Sequence, residues 1–411
     1  MSVAAPAATL GPVTAADLLR SRMVDALVAG ERVRTGAVEE ALRAVPRHLF
    51  LPGVDLPDAY ADEAVPVQHV DGATTSSASQ PSMVAIMLEQ LALRPGHRVL
   101  EIGAGTGWNA ALMARIVGPT GRVTAVDIDA ELVVSAADHL AAAGAPGVEL
   151  VWADGALGHP PGAPYDRIVL TVGSADIRPE WVAQLAQGGR LLVPLEVRGS
   201  QLSVALDLGA DGRLHSDSVR GCAFIRLRGI GAGSAAAVRL PGGGAVLVAA
   251  DGPGVDVAAV AAVLIEPGEP LAASVSLGPE DVWGGFGFWL ALTEPGAARL
   301  IPSGADVVHA TPGPAMALIS PPGAPHPGAA AVVPAANRAG TAVRPYGPAG
   351  EVLAARLLAS LDAWRAAGSP DAPSWRIRVT PGSGVPPAPG EVTIRTPLCW
   401  LGLSLMPPGR G

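Results

Sequence analysis

Three glycines at alternate positions, Gly103, Gly105 and Gly107, stand in the run VLEIGAGTGWNAA, with the acidic Glu101 two residues before the first of them. Alternate glycines remove the Cβ atoms that would hold a ligand off the main chain, so such a loop invites close approach by a polar small molecule. A second acidic residue, Asp127, ends the next apolar run, 20 residues beyond Gly107. A carboxylate there can accept hydrogen bonds from both hydroxyls of a ribose. Loop and acid together serve nucleoside cofactors of more than one kind, so alone they do not choose among them.

These residues need strands and helices to position them, and the pattern supplies both. RVLEI (98–102) reads as a short buried strand, NAALMARIV as a helix and RVTAVDI as a second strand. DAELVVSAADHLAAAG is the next helix and VELVWA the third strand, followed by DRIVLTV, the helical PEWVAQLA, RLLVPLEV and QLSVALDL. Strand–helix alternation with short apolar strands predicts a mainly parallel sheet with helices on both faces. Upstream, Thr14 and Asp17 form a helix cap pair before a stripe of Leu19, Met23, Ala26 and Leu27. A second helix is expected over 36–45, with Val38, Leu42 and Val45 inward and Pro46 as its stop. The hydroxyl-rich TTSSAS reads as a loop that leads into a helix with Pro81 in its first turn, a place suited to anionic groups.

After about Arg220 the composition shifts to Gly, Ala and Val, with strand-like GAVLVAA and AVAAVLIEP. EDVWGGFGFWLALT follows, then proline-rich connections through 302–348, a helix in AGEVLAARLLASLDAWRAAG, and strands in SWRIRVTP and EVTIRTPLCWLGLSL. The expected division is a helical segment 1–60, an α/β domain 61–219 and a C-terminal α+β accessory domain 220–411, for substrate recognition or dimerisation. The chain has 411 residues, and 49% of them are hydrophobic, enough for more than one core.

Composition also excludes classes. Net charge is −9 with basic residues scattered, so no stripe is available to displace counterions from nucleic acid. Cys222 and Cys399 are the only cysteines and lack metal-ligand spacing, so neither a disulfide framework nor a metal site is expected. No basic segment followed by an apolar run opens the chain, and no run is long enough to span a bilayer. The chain reads as cytoplasmic, without membrane or nucleic-acid partners.

A third element narrows the cofactor. ADGALG at 153–158 places Asp154 and the Gly155 amide after the third strand, where they can read an adenine edge. With the glycine loop and Asp127 this points to S-adenosyl-L-methionine. Further segments carry a resemblance over about 44–208: AVPRHLFLPG, the tyrosine and acidic pair of AYADEAVPV, SASQPSMVAIMLEQL, APYDRIVLTVGSA and LAQGGRLLVPL. With these the chain resembles the protein-L-isoaspartate O-methyltransferases, which implies a Rossmann-like S-adenosylmethionine-dependent methyltransferase domain. By position, the resemblance implies that Ser79 lies beside the transferred methyl and the substrate carboxylate, with Ser77 and Gln80 in the cofactor wall. It implies Glu101, Gly103 and Gly105 at the amino-acid end of the cofactor, with Ala104, Thr106, Gly107 and Ile128 as further cofactor-binding positions. Asp127 would then lie at the ribose, Asp154 and Gly155 at the adenine, and Val172, Gly173, Ser174 and Ala175 on the peptide side. Ala156 stands where the family has an arginine, so any side-chain role of that arginine is absent.

Repair enzymes of this family are usually single domains, and this chain carries nearly as much again. In that respect it is similar to extended actinobacterial members that methylate an aspartate of ribosomally made peptides, lanthipeptides and graspetides, and so lead to a succinimide. Three expectations follow: tailoring of a dedicated peptide, general repair of isoaspartyl protein, or a peptide-binding scaffold without turnover. In each the partner is a peptide or protein bearing aspartate or isoaspartate, while oligomeric state is not fixed by the residues.

Overall fold

The computed structural model describes residues 14–145, 147–233, 237–242, 244–250, 252, 254–302, 315–334, 340–382 and 391–406. Two compact units divide the chain, residues 1–171 and 172–411.

The first unit opens with helices α1 (Ala15–Ala29) and α2 (Gly36–Ala44). Thr14 and Asp17 form the expected capping box: the Asp17 backbone N–H donates to Thr14 Oγ1 at 3.2 Å, and Thr14 N–H donates to Asp17 Oδ2 at 3.1 Å. The buried face of α1 holds Met23, Val24 and Leu27, while Ala26 is exposed. The start of α2 is held from outside, since Glu89 Oε1 accepts from the amides of Arg34 and Thr35 at 2.8 Å each. After α3 (Leu56–Ala59) come β1 (Val65–Val70) and β2 (Ala73–Ala78), an antiparallel pair joined by Asp71 and Gly72, both left-handed. The TTSSAS stretch is therefore a strand and not a loop. Pairing with β1, rather than apolar alternation, orders it, which is why the pattern concealed it. Helix α4 (Pro81–Leu91) follows, with Pro81 at its first position as expected.

The rest of this unit alternates as predicted. It comprises β3 (Arg98–Ile102), α5 (Trp108–Val117), β4 (Arg122–Asp127), α6 (Ala130–Ala142), β5 (Val148–Trp152) and β6 (Tyr165–Leu170). The four strands lie in the order β6-β3-β4-β5, and the pairings β3–β6, β3–β4 and β4–β5 are parallel. Leu100, Ile102, Val123, Val126 and Ile168 are at most 1% exposed, as near-continuous apolar strands of a covered parallel sheet should be.

In the second unit α7 (Pro179–Ala183) is followed by β7 (Leu185–Val197), β8 (Ser200–Leu208) and β9 (Leu214–Gly221). These strands pair antiparallel, so the expected parallel character ends here. The reason is the two-residue turn at Arg198 and Gly199, both at positive φ, which can join only antiparallel neighbours. Next come β10 (Ala237–Arg239), β11 (Ala245–Ala249), α8 (Val257–Val263), β12 (Leu271–Ala272), α9 (Phe286–Thr293) and β13 (Ala297–Pro302). Strands β14 (Ala315–Ile319), β15 (Ala329–Pro334) and β16 (Thr341–Tyr346) then precede α10 (Gly350–Ala366). Last are β17 (Trp375–Pro381), β18 (Val392–Arg395) and β19 (Cys399–Leu405). An antiparallel seven-stranded sheet runs β10-β11-β13-β14-β15-β16-β12, and β18-β19-β17-β9-β8-β7 form a second antiparallel array.

Two readings of this region are corrected. AVAAVLIEP, taken as strand-like, supplies most of α8: Asp256 caps that helix by accepting from Ala259 N–H at 3.0 Å, and Val260 and Val263 bury on one side. The described residues of the proline-rich 302–348 stretch hold three strands as well as connections. Among the strand prolines, Pro334 ends β15 and Pro345 stands opposite the small Ala330, so the ladder tolerates them. The cores are alanine-rich. One packs Phe286, Leu353, Leu357, Leu361 and Trp364 on Met316, Leu318 and Val343; another gathers Leu247, Val260, Val263, Leu300 and Tyr346. Among the described residues no helix is long and apolar enough to cross a membrane.

Candidate active site

In the first unit β3, β4 and β5 stop in register, with Ile102 beside Val126 and Asp127 beside Trp152. The loops leaving these carboxyl ends carry Gly103–Gly107, Ile128, Asp154 and Gly155 of the predicted set, at the edge where ligands of open α/β sheets are commonly bound. Gly103 and Ala104 both donate their backbone N–H to Val126 O, at 2.8 and 3.1 Å, and turn the chain sharply off β3. Gly103, Gly105 and Gly107 all lie at positive φ. Gly107, at φ +85°, is the cap of α5, and a Cβ there would meet the Ala136 methyl at 3.3 Å. The close packing of α5 on α6 thus requires glycine at this point. Thr106 is buried, and its carbonyl lies 3.0 Å from His139 Nδ1, which must carry the proton.

Two carboxylates flank the loop with different duties. Asp127 Oδ2 accepts from Gly105 N–H at 2.9 Å, and Oδ1 from Asp129 N–H at 3.1 Å, so it fixes the loop to the start of α6. Glu101 is completely buried. Its Oε1 accepts from Asn109 Nδ2 at 2.8 Å, while Oε2 has no hydrogen-bond partner among the described residues. Burial pushes its carboxyl up to about 8, helped by the charge of Asp127 and opposed by the Asn109 hydrogen bond. A buried oxygen without a partner is costly, and an ammonium group delivered to it would relieve that cost. The α-amino group of an amino-acid-bearing cofactor meets that demand, so these residues fit S-adenosylmethionine.

At the end of β5, Asp154 caps a short turn (Gly155–Leu157) by accepting from Ala156 N–H at 2.9 Å. Gly155 is packed so closely on Ile102 that a Cβ would collide with its side chain. Ile128 is half-buried, and its carbonyl accepts from the indole N–H of the exposed Trp152 at 3.1 Å. Ser77 lies on β2, half-buried; Ser79 is half-buried just beyond it; Gln80 is exposed at the start of α4. Asp62 Oδ1 accepts from Ser82 N–H at 2.8 Å, the cap that Gln80 does not provide.

Val172, Gly173, Ser174 and Ala175 belong to the second unit. Gly173 exchanges backbone hydrogen bonds with Ile225 and Leu227, at 2.8 Å each, and Ser174 N–H donates to Pro194 O at 2.8 Å. Ser174 is 2% exposed, and its hydroxyl donates to the Asp176 carbonyl at 2.7 Å. The hydroxyl is spent inside, which leaves Val172 and Ala175 as the half-buried members of the four.

Several residues went unassigned in the sequence. Asn109 orients Glu101. Gln68 Nε2 donates to Asp129 Oδ2 at 2.9 Å and ties β1 to the Asp127 loop. Arg47 is fully buried with its guanidinium among carbonyls. Only Arg47 left a signal, as a cation in the apolar context AVPRHLF.

Known proteins share the sequence and fold of this chain. The family model for protein-L-isoaspartate(D-aspartate) O-methyltransferase matches residues 19–230. A protein-L-isoaspartate O-methyltransferase of Methanopyrus kandleri is 41% identical over 212 residues, covering 51% of this chain and 91% of that protein. One of Geobacter metallireducens is 35% identical over 213 residues, covering 52% of this chain and 95% of its own length. A solved structure of that same name superposes with a TM-score of 0.50 at 22% identity, over 87% of this chain and 96% of that one, which speaks to fold. With the family model spanning half of it, the chain belongs to the protein-L-isoaspartate O-methyltransferase family, enzymes that depend on S-adenosylmethionine.

Proposed function

We propose that this methyltransferase esterifies an aspartate-derived carboxylate in one dedicated, ribosomally made peptide, with residues 61–219 as its catalytic domain and 220–411 as the accessory domain that selects the peptide. The observation that carries this reading is the second unit: it holds a seven-stranded sheet with its own buried cores, far more than the chemistry requires. Selecting a single peptide calls for added recognition surface, whereas repair must accept many sequences.

The chemistry asks little of side chains. A carboxylate with an ordinary pKa near ~4 is already ionised at neutral pH and needs no general base. When bound, the cofactor supplies an electrophilic methyl group. Glu101 would hold the ammonium end, Asp127 with Ile128 the ribose, and Asp154 with Gly155 the adenine. Ser77, Gln80 and the Gly103–Gly107 loop would form the wall. Ser79 donates its hydroxyl to the substrate carboxylate and orients it; it is not a nucleophile. Val172 and Ala175 would face the peptide backbone, with Gly173 and Ser174 holding them in place. Rate comes from alignment and exclusion of water. In the ester so formed, the next backbone nitrogen attacks the carbonyl: an N–C bond forms, the C–O bond breaks and methanol leaves with the amide proton, giving a succinimide.

A second reading, general isoaspartyl repair, is favoured by a separate observation: the Methanopyrus kandleri protein-L-isoaspartate O-methyltransferase is 41% identical over 91% of its own length. Glu101 Oε2, without a partner among the described residues, supports cofactor binding and so weighs against a scaffold that has lost it. The experiment is methyl transfer to a peptide panel: generic linear isoaspartyl and aspartyl sequences against macrocyclic and leader-bearing ones. The dedicated-peptide reading expects kcat/KM for generic isoaspartyl peptides at least about 100-fold below the best panel member, the scale of several lost contacts. Uniformly brisk turnover of generic isoaspartyl peptides would replace it with repair.

A further inference from the structure

Arg47 lies in the AVPRHLF stretch and is 0% exposed. Its Nη1 donates to Ala59 O at 2.8 Å and Ala61 O at 3.3 Å, and its Nη2 donates to Glu63 O at 3.2 Å and Ser79 O at 2.9 Å. The guanidinium carbon sits 5.2 Å from the ring centroid of Trp108, the first residue of α5 and the next after Gly107. No carboxylate oxygen is bonded to it in these contacts, although Asp62 is near enough to be felt as a charge. Burial lowers its pKa to about 10, which still leaves it cationic at neutral pH.

A buried cation that bonds only carbonyls is expensive, since desolvation is repaid by dipoles and not by an opposite charge. The fork of a guanidinium reaches several acceptors in fixed directions, which a lysine cannot do. Here those directions join three pieces far apart in sequence: the 59–63 segment, Ser79 two residues before α4, and the ring that follows the glycine loop. We infer that Arg47 is a positioning residue for methyl transfer, which fixes the Ser79 main chain, and so the direction of its hydroxyl, relative to the glycine loop. Being fully buried, it acts through Ser79 and Trp108 without touching substrate. The inference rests on the reading of Ser79 as the group that orients the carboxylate.

The test has two arms on the full-length chain. The first uses no substrate: amide hydrogen exchange over residues 76–84 is compared in wild type, Arg47→Lys and Arg47→Gln. Exchange is expected to rise about tenfold or more there in both variants, with β3 and β4 unchanged, as for a local opening. Unchanged exchange over 76–84 overturns the inference. The second arm is a cycle of Arg47→Lys with Ser79→Ala, read with the best peptide of the panel above and with S-adenosylhomocysteine titrations. Arg47→Lys is expected to lower kcat about 10- to 100-fold, with Arg47→Gln lower still, while KM for peptide and Kd for S-adenosylhomocysteine move less than about threefold. In the Ser79→Ala background the same change is expected to cost less than about threefold, because the two residues act as a unit. Equal losses in both backgrounds overturn the positioning role. If Ser79→Ala alone leaves kcat intact, the Ser79 reading fails, and the exchange arm still reports on Arg47. Should Arg47→Lys not fold, Trp108→Leu, which removes the ring beneath the guanidinium, carries both arms with the same expectations.

Discussion

Glu101 is the residue at which the account is most exposed to measurement. Its carboxyl is held near 8, above an unfolded value of about 4.3, so the folded chain favours the neutral acid. The sign follows: this group's contribution to stability is full below pH ~4 and is lost as pH rises towards about 8. Unliganded wild type should therefore lose thermal stability between pH 5 and 8 by more than Glu101→Gln does, in a denaturation series over that range. An ammonium group brought to Oε2 reverses the preference. At pH 7 S-adenosylhomocysteine should release close to one proton on binding, seen by calorimetry in buffers of different ionisation enthalpy, and Glu101→Gln should abolish the release. Equal proton release by both proteins would remove Glu101 from the amino-acid end of the cofactor. Glu101 was legible in the sequence because a carboxylate before a glycine loop has few structural uses. Arg47 was not legible as a clamp, because its acceptors are carbonyls, which carry no sequence identity.

Among the elements, the loop-and-strand geometry makes its own demands. Gly107 caps α5 at φ +85° with α6 immediately behind it. Gly107→Ala should cost about 1–2 kcal/mol from the left-handed backbone alone, and more if α6 cannot yield. Chemical denaturation would show the loss, and a parallel titration should show weaker cofactor binding. Glu89 makes a second test: its Oε1 accepts from Arg34 N–H, Thr35 N–H and Thr35 Oγ1, and so sets the turn into α2. Glu89→Ala should lower stability by about 1–3 kcal/mol, the worth of hydrogen bonds to a charged acceptor, with little effect on cofactor affinity. How readable each element was depends on what orders it. Strands β3 and β4 were read within a residue of their ends because apolar runs, Gly and Asp bounded them. The TTSSAS of β2 reads as a loop because its order lies in pairing with β1 and in a left-handed Asp71–Gly72 turn. Helix α8 looked like a strand because VAAVAAV has almost no polar residue to mark a period, and its Asp256 cap went unread.

For the whole molecule, charge and architecture set the terms of substrate choice. A net charge of −9 disfavours acidic peptides at long range and draws basic ones, an effect that salt screens within about 8–10 Å. Peptides with lysines flanking the modified residue should show KM rising with added salt, while neutral analogues should not. The alternation of strand and helix made the first unit foreseeable. The second was foreseeable only as an α+β body, since alanine and proline composition leaves little periodicity to count. Esterification of an aspartate-type carboxylate oriented by Ser79 is the step proposed for this chain. It is tested most directly by incubating the full chain with methyl-labelled S-adenosylmethionine and the peptide panel, then releasing label with mild alkali. Label is expected as methanol, from aspartyl or isoaspartyl peptides only, with Ser79→Ala slower by about 10- to 100-fold. Label that resists alkali, or transfer at an undiminished rate in Ser79→Ala, would contradict it.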